Sequence, residues 1–240
     1  MLRRVAARAA MHAQATTLQR MASAIGAQRS FAHAHENEKD CWKCHHATEC
    51  CALFCQSCDA IQPLNRENAC DYFEMFKIPK NFSLEQRKIE QTYWNLQKRL
   101  HPDLYGSKSE FEKELSATNA AVVNDAYNML KTPNTRVKYL LALHGIDALG
   151  ESASTAVDPA LLMRTMEIRE EIDEAPSVEA LDRIRKNIAA QIDAIIQKLG
   201  EVYDRKHDLD ATKRFALELQ YMVKCAEEID LREEKLEARA

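Results

Sequence analysis

Downstream of residue 70, apolar residues recur at three- and four-residue steps, and the breaks in that rhythm mark out helices. Asp71 followed by Tyr72, Phe73 and Phe76 predicts a short capped helix ending before Pro79. Ser83 is placed to cap a second helical stretch, Leu84 to Leu100, with Ile89, Tyr93, Leu96 and Leu100 on its apolar face. Its other faces carry Arg87, Lys88, Lys98 and Arg99. A third stretch, from about Phe111 to Leu130, offers Leu115, Val122, Val123, Ala126, Tyr127 and Leu130 to a core. A fourth follows Pro133, carries Val137, Leu140, Leu141 and Leu143, and stops at Gly145.

The pattern resumes at Asp158-Pro159, an N-cap followed by proline at the first helical position. That helix reads Leu161 to Ile172, and Pro176-Ser177 breaks and restarts the chain. Leu181, Ile184, Ile188, Ile192, Ile195, Leu199 and Val202 form the stripe of a second helix. Phe215, Leu219, Met222, Ala226 and Ile229 form that of a third, beginning near Asp210. Amphipathic helices on short links imply an antiparallel three-helix bundle. Leu162 and Met166 stand one turn apart on one stripe, and Tyr221 joins them if the first and third helices are neighbours. They read as core or as an apolar patch for a partner.

Composition narrows the picture. Five Gly and six Pro in 240 residues leave few helix breakers. A formal net charge of −4 gives no general reason to expect nucleic-acid binding. No run of about 18 apolar residues is present, so no membrane-spanning helix is expected. Residues 1–35 contain no Asp or Glu but carry Arg3, Arg4, Arg8, Arg20 and Arg29 among Ala, Ser and Thr. This is the composition of a mitochondrial targeting segment, taken as residues 1–34, and Arg29-Ser30-Phe31-Ala32 resembles a matrix-protease site cut after Phe31. The implied location is the mitochondrial matrix.

Six of the eight cysteines fall between Cys41 and Cys58. Cys41-Trp-Lys-Cys44 and Cys55-Gln-Ser-Cys58 have metal-ligand spacing, and two such knuckles can hold one zinc ion tetrahedrally. Residues 35–66 are too few for a hydrophobic core, so a structural zinc would have to organise them. His45, His46, Cys50 and Cys51 lie in the loop and complicate the ligand set. A redox CxxC would need a βαβ context absent here, and a disulfide is disfavoured in a reducing matrix. Cys70 and Cys225 stand apart and read as small apolar fillers.

His101-Pro102-Asp103 lies in the turn between the second and third helical stretches of the 70–145 region. Pro102 stiffens the turn, Asp103 offers a fixed carboxylate, and Lys98 and Arg99 complete a small outward polar surface, with Arg87 further up the same helix. A catalytic His-Asp pair would need a nucleophile, and neither G-x-S-x-G nor HExxH accompanies it. The tripeptide in this setting resembles the signature of a J-domain, a co-chaperone module that stimulates ATP hydrolysis by a DnaK-type chaperone.

CWKC with CQSC, then LQKRLHPD, VNDAYNML, YLLALHG and LLMRTMEIREEID, in that order, are similar to the mitochondrial HscB family of iron–sulfur cluster co-chaperones. The resemblance implies an all-α chain: a zinc-knuckle module (35–66), a J-domain (70–146) and a C-terminal three-helix scaffold-binding domain (157–238). It implies that His101, Pro102, Asp103, Lys98, Arg99 and Arg87 meet a mitochondrial DnaK-type chaperone. It implies that Leu162, Met166 and Tyr221, with Met163, Glu167 and Glu170 beside them, bind the iron–sulfur cluster scaffold protein, so the first three are expected on one exposed face with Glu167 and Glu170 on its rim. Cluster acceptor proteins are further implied partners; nucleic acid and membrane are not. Cys41, Cys44, Cys55 and Cys58 would hold one structural zinc per chain, and the chain would be no enzyme. Two positions depart from the pattern. Trp94-Asn95 replaces the basic pair of general J-proteins, which implies a specialised chaperone partner, and Met166 replaces a Leu, a near-isosteric change. The competing reading is a zinc-dependent or thiol-redox protein acting through the four cysteines.

Overall fold

The computed structural model describes residues 38–64, 70–147 and 158–238; the expected targeting segment and its Phe31 cleavage point lie outside them. A two-stranded antiparallel ribbon, β1 (Glu38–Asp40) and β2 (Ala47–Glu49), precedes the helices. These are α1 (Tyr72–Phe76), α2 (Gln86–Arg99), α3 (Glu110–Lys131), α4 (Pro133–Leu143), α5 (Pro159–Glu174), α6 (Val178–Leu199) and α7 (Leu209–Glu237). The fold is thus all-α beside a small cysteine module, as the periodicity predicts. The chain divides into two compact units. One comprises the chain up to Lys80 together with Leu84–Lys131, the other Asn81–Ser83 together with the chain from Thr132 onward.

In the first unit, Asp71 caps α1 by accepting the Phe73 N–H at 2.8 Å, and Tyr72, Phe73, Met75 and Phe76 are all buried. Helices α2 and α3 pack as a hairpin. Ile89, Leu100, Leu115, Val123, Ala126 and Leu130 are buried. Tyr93, Leu96, Val122 and Tyr127, also expected in the core, are only half-buried. A two-helix hairpin has one shared face, and the residues at its margin stay partly in water. There Tyr93 and Tyr127 stack at 4.2 Å, and the Tyr93 hydroxyl and Gln97 amide both donate to Asn124 Oδ1. Cys70 is not an isolated filler: it is disulfide-bonded to Cys51, which fixes the cysteine module to the chain just before α1.

Ser83 does not cap α2, which begins three residues later with Glu85 at the cap position and no side-chain cap bond. Within the second unit, the N–H groups of Phe82 and Ser83 instead donate to the two carboxylate oxygens of Asp204, at 2.6 and 2.9 Å. Asp204 sits in a π-helical turn, Gly200–Arg205, that continues α6. A side chain at Gly200 would bring its Cβ to 2.6 Å from the Ser83 hydroxyl, which would have to rotate away.

Helices α5, α6 and α7 form the predicted bundle. Asp158 caps α5 with Pro159 at its first position, and Ser177 caps α6. Ile172, Ala175, Leu181, Ile184, Ile188, Cys225 and Ile229 make a contiguous core, so Cys225 is the apolar filler expected of it. Helix α5 buries only Thr165 and Ile172, far less of its surface than α6 or α7.

Candidate functional site

The two CxxC segments fold as copies of one turn. The Cys41 carbonyl accepts from the His45 N–H at 2.9 Å, and the Cys55 carbonyl accepts from the Asp59 N–H at 3.0 Å. The Cys41 and Cys55 N–H groups donate to His46 and Ala60, both at 2.9 Å. His45 and Asp59, each directly after the second cysteine, take φ of 58° and 56°, the left-handed conformation that reverses the chain. Backbone N–H groups of Lys43 and Ser57 point at the sulfurs of Cys41 and Cys55, each at 3.4 Å. The Nζ of Lys39 knits the surrounding loop by donating to the carbonyls of Cys50, Ala52 and Pro63. Burial pulls the Lys39 ammonium pKa below its ordinary value.

The four sulfurs of Cys41, Cys44, Cys55 and Cys58 lie within 4.8 Å of one another. Cys41 to Cys58 is 3.6 Å and Cys44 to Cys55 is 3.7 Å. A tetrahedral zinc with bonds of about 2.3 Å requires sulfurs about 3.8 Å apart, so the donor set and its size fit one zinc-sized ion. Four sulfurs converging on a single point suit one ion better than a multi-iron cluster, whose thiolates are divided among separate irons. His45, His46 and Cys50 stand outside this group, and Cys51 is occupied by Cys70. Gln62, fully buried, adds a side-chain N–H to Cys41 Sγ at 3.2 Å. Burial opposes a charged Cys41, but the N–H groups of Cys44 and Lys43 and the neighbouring thiols outweigh it and hold its pKa at about 6. At Cys58 the Ala60 N–H favours the thiolate, but burial and the three neighbouring cysteines together push the thiol up to about 12. Four sulfurs this close, in the absence of a cation, compete for a limited number of negative charges.

The second site is the turn after α2. Leu100 is buried, and its carbonyl accepts from the Ser116 hydroxyl of α3 at 2.7 Å. His101 is extended, and Pro102 opens a single 3-10 turn to Tyr105. The Asp103 N–H donates to His101 Nδ1 at 3.3 Å, and the Asp103 carboxylate lies 3.4 Å from the same nitrogen. His101, Pro102 and Asp103 are all exposed, as are Arg87 and Lys98. Positions 87, 94 and 98 follow helical spacing, so Trp94, itself 59% exposed, shares the stripe with Arg87 and Lys98. Arg99 is exposed as well but is not free of contacts. Its guanidinium pairs with the Asp59 carboxylate and lies 3.7 Å over the Phe54 ring, both in the cysteine module.

The third site is on α5. Leu162, Met163 and Met166 are 40, 64 and 61% exposed, and Glu167 and Glu170 are exposed beside them. Helices α5 and α7 are neighbours, joined by Arg164–Glu218 at 3.4 Å and Arg169–Glu228 at 2.8 Å. Tyr221, one turn along α7 from Glu218, is half-buried rather than exposed. Sequence reasoning missed Asp59, Phe54, Gln62 and Asn119. The residue after the second cysteine of each knuckle carried a usable signal, since both turns bring it round in the left-handed conformation.

Comparison with known proteins follows the same division. Residues 71–139 match the DnaJ domain model and residues 157–230 match the HSCB C-terminal oligomerisation domain model. The chain is 32% identical over 194 residues to the mouse iron–sulfur cluster co-chaperone protein HscB, covering 80% of this chain and 81% of that protein. It is likewise 32% identical over 192 residues to the Arabidopsis thaliana HscB homolog, covering 80% of this chain and 74% of that protein. The crystal structure of human co-chaperone protein HscB superposes with a TM-score of 0.71 at 29% identity, over 81% of this chain and 98% of that one.

Proposed function

The chain belongs to the HscB family of iron–sulfur cluster co-chaperones, and from that premise we propose that it binds a cluster scaffold protein and recruits a mitochondrial DnaK-type chaperone to it. The exposed His101-Pro102-Asp103 turn at the end of a basic helix carries this reading. The J-domain is residues 70–146, the cysteine module 35–66 and the scaffold-binding bundle 157–238. In the matrix, to which residues 1–34 direct the chain, Leu162, Met163, Met166 and Tyr221 hold the scaffold with Glu167 and Glu170 at the rim. Large apolar side chains at the centre of a polar-rimmed patch are the usual anchors of such a contact. His101, Pro102 and Asp103, flanked by Lys98, Arg99 and Arg87, engage the chaperone's ATPase domain. One chain holding both partners raises the local concentration of each for the other, so two weak contacts deliver a cluster-loaded scaffold to a chaperone. The hydrolysis itself is the chaperone's chemistry. A zinc ion on Cys41, Cys44, Cys55 and Cys58 supplies a cross-link between the two knuckles and no reaction.

His101→Gln tests the proposal. The side chain is exposed and its polar contacts among the described residues lie within its own turn, so helicity and scaffold binding should be unchanged while stimulation of the partner ATPase disappears. Normal stimulation by this variant would refute the chaperone role of the turn.

A further inference from the structure

We infer that the cysteine module positions the His101-Pro102-Asp103 turn, and that Asp59, Gln62 and Asn119 are the positioning residues. The four-cysteine cluster reaches the two residues before His101 by two separate routes. The first is buried. Gln62 donates to Cys41 Sγ at 3.2 Å, and its carbonyl accepts from the Asn119 side chain of α3 at 2.9 Å. Both residues are fully buried. Ser116, three residues before Asn119 on the same helix, donates to the Leu100 carbonyl at 2.7 Å. A buried hydrogen bond holds its geometry because breaking it strands polar atoms away from water. The second route is at the surface. Asp59, held in the left-handed conformation by the second knuckle, takes the Arg99 guanidinium, which also covers Phe54. The Arg99 carbonyl in turn accepts from the Tyr105 hydroxyl at 3.3 Å, closing the turn from its far end.

A third contact holds the other flank. Trp42, between the first two cysteines, meets Phe111 at the start of α3 edge-to-face at 5.2 Å, and its indole N–H donates to the Ile61 carbonyl. The module therefore grips the end of α2 and the beginning of α3, the two elements from which the turn is strung. A surface ion pair alone contributes little. Here it is backed by a buried amide network and an aromatic contact, and all three depend on knuckles that a metal ion would keep closed. An ordered docking loop loses less conformational freedom when it binds, so the module tunes how tightly the turn engages its partner rather than what it engages.

This inference rests on the proposed chaperone role, but its principal readout does not. Asp59→Asn combined with Asn119→Leu cuts both routes while leaving all four cysteines in place. Metal analysis should still find about one ion per chain. Amide exchange over residues 101–106 should accelerate about tenfold, the effect of one or two lost hydrogen bonds on a local opening, while the interior of α2 keeps its protection. Removing metal from the wild-type chain should loosen the same residues. The co-chaperone concentration giving half-maximal chaperone stimulation should rise at least about threefold with the maximum retained. If Asn119→Leu disturbs the hairpin, Asp59→Asn alone and metal-depleted wild type carry the test. Unchanged exchange at 101–106 in both, or loss of protection spread evenly along α2 and α3, overturns the inference. His101→Gln stimulating normally would refute the chaperone role instead and leave the exchange result standing.

Discussion

Met163→Ala with Met166→Ala probes the α5 patch most directly. The two side chains keep 64 and 61% of their surface in water, so folding buries only a little over a third of each. Full burial of such a side chain contributes about 1.5–3 kcal/mol, so each truncation should cost about 0.5–1 kcal/mol of stability. Partner binding should behave differently. If both side chains sit at the centre of the scaffold contact, each should cost more than about 1 kcal/mol of affinity and the pair about 3, roughly a hundredfold. Ile188→Ala is the contrasting control, at 1% exposed in the bundle core. It should cost about 2–5 kcal/mol of stability and leave the affinity of the folded fraction unchanged. Titration calorimetry against the scaffold and thermal melts on all three proteins give the comparison. Wild-type affinity in the double variant would remove the patch from the interface, and early melting would show these methionines holding the bundle together. Leu162→Ala should follow the methionines with a larger stability cost, since only 40% of its surface is exposed.

Purified protein should contain about one zinc per chain, and Cys44→Ser should abolish it, by metal analysis. Chelation should leave most far-UV helicity in place, because α6 and α7 bury an apolar core that contains no metal ligand, and broad loss of helix would contradict this. Lys138 supplies a pH dependence. Burial first, and Lys224 second, lower its pKa to about 8, with Glu227 opposing. Because the folded pKa lies below the unfolded value, the folded state binds fewer protons between about pH 8 and 10.5, and stability rises with pH across that window. Lys138→Met should be more stable than wild type at pH 7, by about 1 kcal/mol or more, and urea melts should show the difference shrinking toward pH 10. A constant difference across that range would mean Lys138 titrates normally.

Much of this was legible locally. Apolar spacing, the caps at Asp71 and Asp158 and the break at Pro176-Ser177 are short-range properties, and the helices followed them to within a few residues. The cysteine spacing marked the four converging ligands, because a CxxC turn closes on itself through bonds no more than five residues apart. The exposure of Leu162 and Met166 followed from the family resemblance, because helical spacing sets them on one stripe without deciding between core and patch. What sequence could not supply was pairing across distance. Asp59 meets Arg99 over 40 residues, Gln62 meets Asn119 over 57, and Asp204 takes the Phe82 N–H over 122. Cys70 found Cys51, and Ser83, a plausible cap by its neighbours, was drawn to Asp204 instead. A helix periodicity states which face is buried but not against what. A polar side chain's partner is decided only when packing brings two chain segments together and excludes the water that would otherwise have served either one.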